Sequence, residues 1–200
     1  MSARVTILAA IRQAQVPEVP APESPTAAKA GEGAADLERR FVEMLRQVGG
    51  SAVRFAGPEG MAEAVAAITA ADVEPGADVV SCVPGLAVSI LTIGPDSSRA
   101  ELDRIGLAVI PGRFGVAENA AIWVDEHDLP HRALPVVAEH LAIVLPKREI
   151  VADMHAAYRR LPRPLPGYGV FISGPSKTAD IEQALVIGAQ GPKSLVVLLV

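Results

Sequence analysis

The C-terminal stretch Ser194–Val200 places the tightest constraint on what this chain can fold into. Its sequence, SLVVLLV, is apolar on both faces of an extended strand. Such a strand is stable inside a sheet that is covered on both faces, as in parallel sheets flanked by helices. Upstream, predicted strands and helices alternate, which is typical of α/β proteins. We therefore predict an α/β fold, a three-layer sandwich with roughly seven strands in a mostly parallel sheet.

Hydrophobic periodicity divides the chain into predicted helices and strands. Helices are predicted over residues 3–15, 36–48, 58–71, 98–105 and 146–161. Strands are predicted over residues 51–56, 78–83, 107–110, 120–124 and 136–144, and residues 85–93 are left as helix or irregular structure. Four prolines between Pro17 and Pro25 predict an extended linker over Val16–Gly33. We expect residues 1–33 to be an N-terminal helix with its linker, and residues 34–200 to be one α/β domain.

Composition excludes several functional classes. The net charge is −5 and no Lys/Arg cluster is present, which argues against nucleic-acid binding and against binding to an anionic membrane. No apolar run reaches about 18 residues, so no transmembrane helix is predicted. With no clear signal peptide either, we expect a cytoplasmic protein. Cys82 is the only cysteine, which excludes an intramolecular disulfide and an iron–sulfur cluster held by four cysteines of this chain.

The segment Phe171–Pro192 predicts a strand, a tight loop and a helix. From Thr178 onward, apolar or small residues recur at helical spacing, at Ile181, Ala184, Leu185 and Gly188. A loop that ends at a helix N-terminus can bind an anion through free N–H groups and the positive end of the helix dipole. The predicted ligand-binding residues of this segment are Ser173, Gly174, Ser176, Lys177, Thr178 and Asp180.

A structural interpretation of the same loop stays open. Ser176 or Thr178 would serve as the N-cap of the helix. Asp180 and Glu182 in the first helical turn would stabilise the dipole, and they would compete with an incoming anion. The loop is not a Walker-type phosphate loop, because it lacks the Gly-Lys-Ser/Thr sequence.

Glu118 and His140 are the catalytic candidates. Glu118 and Asn119 stand where a strand begins, so Glu118 could act as a general base, a nucleophile or a ligand to substrate hydroxyls, with Asn119 beside it as a ligand-binding residue. Alternatively, Glu118 pairs with Arg113 on the surface. His140 interrupts an apolar strand, where a histidine is either catalytic or a hydrogen-bonded core residue.

No metal site or cofactor site is predicted. His127, Asp128 and His131 have the spacing of metal ligands, but they lie in a charged segment for which a solvated loop is the better interpretation.

Several motifs resemble the lactate-utilization protein C family, the LUD domain. The most specific runs from Ser173 to Glu182 and continues with Gly188 and Gly191-Pro192. Further matches are Val116-Ala117-Glu118, Leu134-Pro135 with His140, and the start Ile7–Arg12. The resemblance covers nearly the whole chain and is strongest from Leu107 onward. The chain departs from the family pattern at Arg113, at Asn119-Ala120, where Thr-Gly is usual, and at Gln190, where a histidine is common.

The resemblance implies a fold like that of the ribose-5-phosphate isomerase, glucosamine-6-phosphate isomerase and CoA-transferase group. It also implies a non-redox role in lactate or other organic-acid utilization, beside iron–sulfur partner subunits. In this interpretation a small anionic ligand binds between the Glu118 turn and the Ser173–Thr178 loop. Two alternatives stay open: a stand-alone isomerase or acyl/CoA transferase using Glu118, and an assembly subunit that clamps a partner with its N-terminal helix. A homo-oligomer is compatible with each of them.

Overall fold

The computed structural model describes residues 3–14, 33–86, 88, 91, 93–165, 167–181 and 184–200. Apart from Gly33, the predicted linker lies outside these ranges, as does part of residues 85–93. The helices are α1 Ala3–Gln13, α2 Ala34–Gln47, α3 Gly57–Asp72, α4 Arg99–Leu102, α5 Leu134–Val137 and α6 Met154–Arg160. The strands are β1 Ser51–Arg54, β2 Asp78–Ser81, β3 Ile105–Pro111, β4 Phe114–Val116, β5 Ile122–Asp125, β6 His140–Leu145, β7 Ile150–Val151, β8 Gly169–Ile172, β9 Lys177–Ile181, β10 Ala184–Ile187 and β11 Ser194–Leu199.

The central sheet has five strands in the order β1-β11-β6-β3-β2, and every neighbouring pair is parallel. Strand β11 lies between β1 and β6, so both of its edges are hydrogen-bonded. This position confirms the prediction made from its two apolar faces. The predicted α/β class with a mostly parallel sheet is likewise confirmed.

The two faces of the central sheet are covered by different elements. Side chains alternate along a strand, so Leu107 and Val109 of β3 face α3, where they pack with Val65 and Ile68. The next residues in β3, such as Ile110, pack in a separate cluster with α2 and a second sheet. The two faces of the central sheet are therefore buried by α3 on one side and by α2 and the second sheet on the other.

The second sheet has four strands in the order β7-β4-β5-β8 and is mostly antiparallel. On β5, Ile122 and Val124 face the central sheet, whereas Trp123 faces outward. There it packs near α6, in a cluster that includes Phe114 and Ala157. The predictions from the sequence did not separate this layer from the central sheet.

Two predicted elements near the middle of the chain are shorter than expected. Residues 136–144 contain the end of α5 and most of β6, and the helix predicted over 146–161 begins only at Met154, after the short strand β7. Helix α6 starts there because the side chain of Asp153 accepts a hydrogen bond from the Ala156 N–H, at 2.7 Å. Asp153 is therefore the N-cap that satisfies this helix terminus.

The helix predicted from Thr178 is wrong. Lys177–Ile181 and Ala184–Ile187 form an antiparallel pair of strands instead, in which Thr178 lies opposite Val186 and Lys177 opposite Ile187. β-Branched residues such as Thr178, Val186 and Ile187 favour extended backbone, because their side chains are restricted in a helix. The apolar spacing that suggested one helical face is thus shared between two strands.

Among the described residues, no helix is both long enough and apolar enough to cross a membrane.

Candidate functional site

Glu118 and Asn119 form the tight turn between β4 and β5. The exposed Glu118 carboxylate accepts a hydrogen bond from the Met154 N–H, at 2.9 Å, where α6 begins. Asn119 Oδ1 accepts a hydrogen bond from the Ala121 N–H at 3.1 Å and so closes the turn. The predicted alternative partner of Glu118, Arg113, pairs with Asp128 instead. In this structure Glu118 therefore satisfies a free donor of α6.

Ala120 in the same turn has an unusual backbone conformation. It is fully buried, its φ is +55°, and it alone among the described non-glycine residues has a positive φ. The left-handed region costs an L-residue roughly 1–2 kcal/mol. Residues in such conformations are concentrated at functional sites, which singles out this turn on grounds independent of its motif.

The loop after β8 contacts the Glu118 turn. Ser173 Oγ donates a hydrogen bond to the Asn119 carbonyl at 2.6 Å, across 54 residues of sequence. The structure thus brings together two of the segments in which site residues are predicted. We call Glu118–Asn119 with Ser173–Gly174 the turn–loop seam.

The next part of the loop is fastened to the end of α2. Gly174 has a φ of +75°, and a Cβ at this position would overlap the Val48 carbonyl oxygen. The Lys177 ammonium donates a hydrogen bond to the same carbonyl. Because Val48 is the C-cap of α2, Lys177 neutralises the negative end of that helix. With β9 following the loop, the helix dipole that was expected to attract an anion is absent here.

The remaining loop candidates lie away from the seam. The Ser176 N–H donates to the Pro192 carbonyl at 2.9 Å, and the Ser176 carbonyl accepts from the Gly188 N–H at 3.0 Å. Thr178 and Asp180 lie within β9. These contacts hold the β9–β10 pair against the residues that lead into β11.

His140 is the first residue of β6 and is buried. Its Nδ1 lies 2.8 Å from Ser194 Oγ, at the corresponding position of β11. Both residues stand at the amino ends of parallel strands, whereas ligands of open α/β sheets bind at the carboxyl ends. This placement favours the core interpretation of His140 over the catalytic one.

A cavity of about 480 Å³ lies on the outer face of the second sheet. It combines aromatic and proline rings with charged side chains, and its lining residues are Arg113, Phe114, Trp123, Asp125, His127, Arg160, Pro162 and Pro164. The Arg160 guanidinium lies over the Phe114 ring, 5.0 Å from its centroid. The cavity therefore lies beyond the carboxyl end of α6, while the turn–loop seam lies at its amino end.

Asp125 is the buried charge of this cavity. Burial raises the pKa of its carboxyl, but hydrogen bonds from the His127 backbone and ring, with the charges of His127 and Arg113, lower that pKa overall. The Asp125 Oδ1 atom lies 2.9 Å from the His127 backbone nitrogen and 2.5 Å from its Nδ1. The carboxylate is therefore held ionised and fixes the His127 ring at the cavity edge.

The residues of this cavity were not predicted as a site. The sequence indicates Arg113 only as an alternative partner of Glu118, and it indicates a solvated loop for His127 and Asp128. Trp123, the only tryptophan of the chain, is the available signal, since tryptophan is enriched at interfaces, where its apolar ring and its polar N–H can both be used.

Comparisons with known proteins give a consistent family and fold. The family model described as the LUD domain matches residues 96–200. Lactate utilization protein C of Shouchella clausii (strain KSM-K16) is 32% identical over 100 residues, which are 47% of this chain and 42% of that protein. Lactate utilization protein C of Deinococcus radiodurans is 32% identical over 130 residues, 58% of this chain and 59% of that protein. The chain thus spans about half the length of these curated relatives.

A solved structure is similar in fold. The crystal structure of a DUF162 family protein from Deinococcus radiodurans superimposes with a TM-score of 0.62, covering 84% of this chain and 99% of that one. Sequence identity is 19%, so this similarity concerns the fold alone.

Gly174→Ala should destabilise the protein strongly, because it adds a clash with the Val48 carbonyl to the cost of a positive φ. We expect a loss of about 2–4 kcal/mol in the free energy of unfolding, measured by urea denaturation. Gly76→Ala is the matched control, since Gly76 has a φ of +91° with open space around its Cβ position. It should lose only about 1 kcal/mol. Equal losses in the two variants would show that the Gly174–Val48 contact contributes nothing.

Asp125 should make stability depend on pH in the acid range. The pKa of Asp125 is lower in the folded protein than in the unfolded chain. The ionised carboxylate therefore stabilises the fold at pH values above its ordinary pKa of about 3.9, and this stabilisation is lost as the pH falls through the folded pKa. We expect the free energy of unfolding of the wild type to fall more steeply below about pH 5 than that of Asp125→Asn. Asp96→Asn, at an exposed turn residue, controls for the loss of one charge. Parallel pH profiles of wild type and Asp125→Asn would contradict the assignment.

Proposed function

This chain belongs to the LUD domain family, and from that premise we propose that it takes part in lactate or related organic-acid utilization. The family model covers more than half of the chain, and the curated relatives carry the name lactate utilization protein C. The proposed role is that of a non-redox subunit or accessory factor that binds a small anionic ligand.

The cysteine content supports the non-redox part of the proposal. Cys82 directly follows β2, is partly buried, and packs against the core. Burial raises the pKa of its thiol to about 11, which disfavours the reactive thiolate near neutral pH. Electron transfer in lactate oxidation would accordingly be supplied by partners, and we propose iron–sulfur subunits for that task.

The hydrogen bond between Ser173 and the Asn119 carbonyl carries the ligand-binding part of the proposal. It joins the Glu118–Asn119 turn to the loop that leads to Lys177, and the side chains of Glu118, Ser173 and Lys177 are exposed to solvent. Lys177 uses one of its three N–H donors on Val48, and the others remain for a carboxylate. Glu118 and Asn119 would contact the hydroxyl group of a hydroxy acid. The strained Ala120 between the two strands fits a turn that is kept for function.

Binding of L-lactate or another small carboxylate should raise the melting temperature, because a ligand that binds only the folded state stabilises it. At a ligand concentration of 100 times Kd the gain is about 2.7 kcal/mol, equivalent to a shift of roughly 5–10 °C for a chain of this size. Lys177→Ala should reduce the shift, whereas Lys147→Ala, at an exposed lysine, should leave it unchanged.

Two results would each contradict the ligand-binding proposal. Either no small carboxylate, sugar phosphate or acyl-CoA raises the melting temperature, or the ligand-induced shift of Lys177→Ala equals that of the wild type.

A second candidate function is assembly, and α1 is the observation that favours it. This helix has no buried residue, and its apolar side chains Val5, Ile7, Leu8 and Ile11 are between 41% and 59% exposed. A helix of 11 residues is marginal by itself, so it gains from packing on a partner. We propose that this partner is an iron–sulfur subunit of the same utilization system.

Deletion of residues 1–33 should abolish co-elution with purified iron–sulfur subunits in size-exclusion chromatography, because the apolar face of α1 is then missing. The melting temperature of the deletion variant should stay close to that of the full-length chain, because α1 has no buried residue. Leu8→Asp in the full-length chain should reproduce the loss, and Gln13→Asp, at the end of the same helix, should not. Unchanged co-elution of the deletion variant would contradict the assembly role.

A further inference from the structure

We propose that the cavity on the outer face of the second sheet is a binding site for a flat aromatic ring that carries an anionic group. The site goes beyond the lactate-type site proposed above, because it lies at the other end of α6 and shares no residue with the turn–loop seam. Benzoate-like aryl acids and nucleotides both have this chemistry.

The size of the cavity favours a ligand larger than a three-carbon acid. Its volume of about 480 Å³ falls within the range of small-molecule sites, roughly 300–1,000 Å³. A lactate ion would fill only a small part of this space. A ring with an acidic substituent, or a nucleobase with its phosphate, would fill it far better.

Rigid rings form the apolar part of the lining. Trp123 is 6% exposed and is held by Phe171, with ring centroids 4.9 Å apart. A Cβ on Gly169 would overlap the indole, so the glycine of β8 lets that ring lie directly on the strand. Pro162 and Pro164 complete this part of the lining. Side chains fixed in this way lose little entropy when a flat ligand packs against them.

Arg113 supplies the contact for the anionic group. Its Nε donates to Asp128 and its charge also acts on Asp125, but among the residues that the structure describes no hydrogen bond to its terminal N–H groups is found. The terminal N–H groups are therefore available as a planar fork, the geometry that binds carboxylate and phosphate oxygens.

The other charges of the cavity have hydrogen-bonding partners. Arg160 bonds to Glu149 and covers the Phe114 ring, and Asp125 bonds to His127, which carries a compensating charge only when its ring is protonated. An entering anion therefore meets no large excess of positive charge in the cavity. Selectivity would come from the directed donors of Arg113 rather than from a large positive field.

The fluorescence of Trp123 measures ligand binding directly, because Trp123 lines the cavity and is the only tryptophan of the chain. We expect saturable quenching by benzoate, by adenosine monophosphate, or by both. Benzoate alone would indicate an aryl acid, and adenosine monophosphate alone a nucleotide. Benzyl alcohol, which lacks the charge, and cyclohexanecarboxylate, which lacks the flat ring, should bind roughly tenfold or more weakly, as expected for the loss of one charge-assisted or aromatic contact.

The variant Arg113→Gln should weaken binding of the quenching ligand about tenfold or more. Arg99→Gln is the matched control, because Arg99 is an exposed arginine that also has one acidic partner, Asp103. Circular dichroism and melting curves of both variants verify that the fold is intact. The proposal is overturned if neither anion quenches saturably, if cyclohexanecarboxylate binds as tightly as benzoate, or if a folded Arg113→Gln binds as Arg99→Gln does. The melting experiment with lactate is independent of all three results.

Discussion

Burial of β3, β6 and β11 on both faces is the constraint on which the rest of the structure depends. Helix α3 covers one face with Val65 and Ile68, and α2 and the second sheet cover the other. Because the second sheet uses its inner face for this purpose, its outer face needs cover of its own, and α6 packs there. The two candidate sites flank α6 for this reason, with the seam at its amino end and the cavity beyond its carboxyl end.

The turn–loop seam connects parts of the chain that are far apart in sequence. Glu118 binds the start of α6, Ser173 binds the Glu118 turn, and Lys177 binds the end of α2. The motif that carries the family resemblance therefore fixes the position of the second sheet relative to two helices. A ligand bound at the turn–loop seam would affect the same contacts, so we expect ligand binding to be coupled to the folding stability of the protein.

The sequence alone predicts the helices and strands that depend on a local pattern of residues. Helices α2 and α3 follow from their apolar spacing, and β11 from its two apolar faces. The segment after Thr178 differs from the prediction because one apolar spacing fits both a helical face and a pair of strands. The role of Lys177 depends on Val48, 129 residues away, and the cavity draws its lining from separate segments between Arg113 and Pro164. Neither can be read from any local pattern, whereas the Glu118 and Ser173 segments could be paired through the family motif.

We propose as the central claim that small ligands bind at the two ends of α6, at the turn–loop seam and in the cavity on the outer face of the second sheet. Backbone and indole N–H shifts of the ¹⁵N-labelled protein, titrated with L-lactate and with benzoate, test it most directly. We expect lactate to shift amides of the turn–loop seam and of the start of α6, and benzoate to shift the Trp123 indole N–H and amides of β5. Shifts concentrated in β1, β2 and α3, on the opposite side of the central sheet, would contradict this claim.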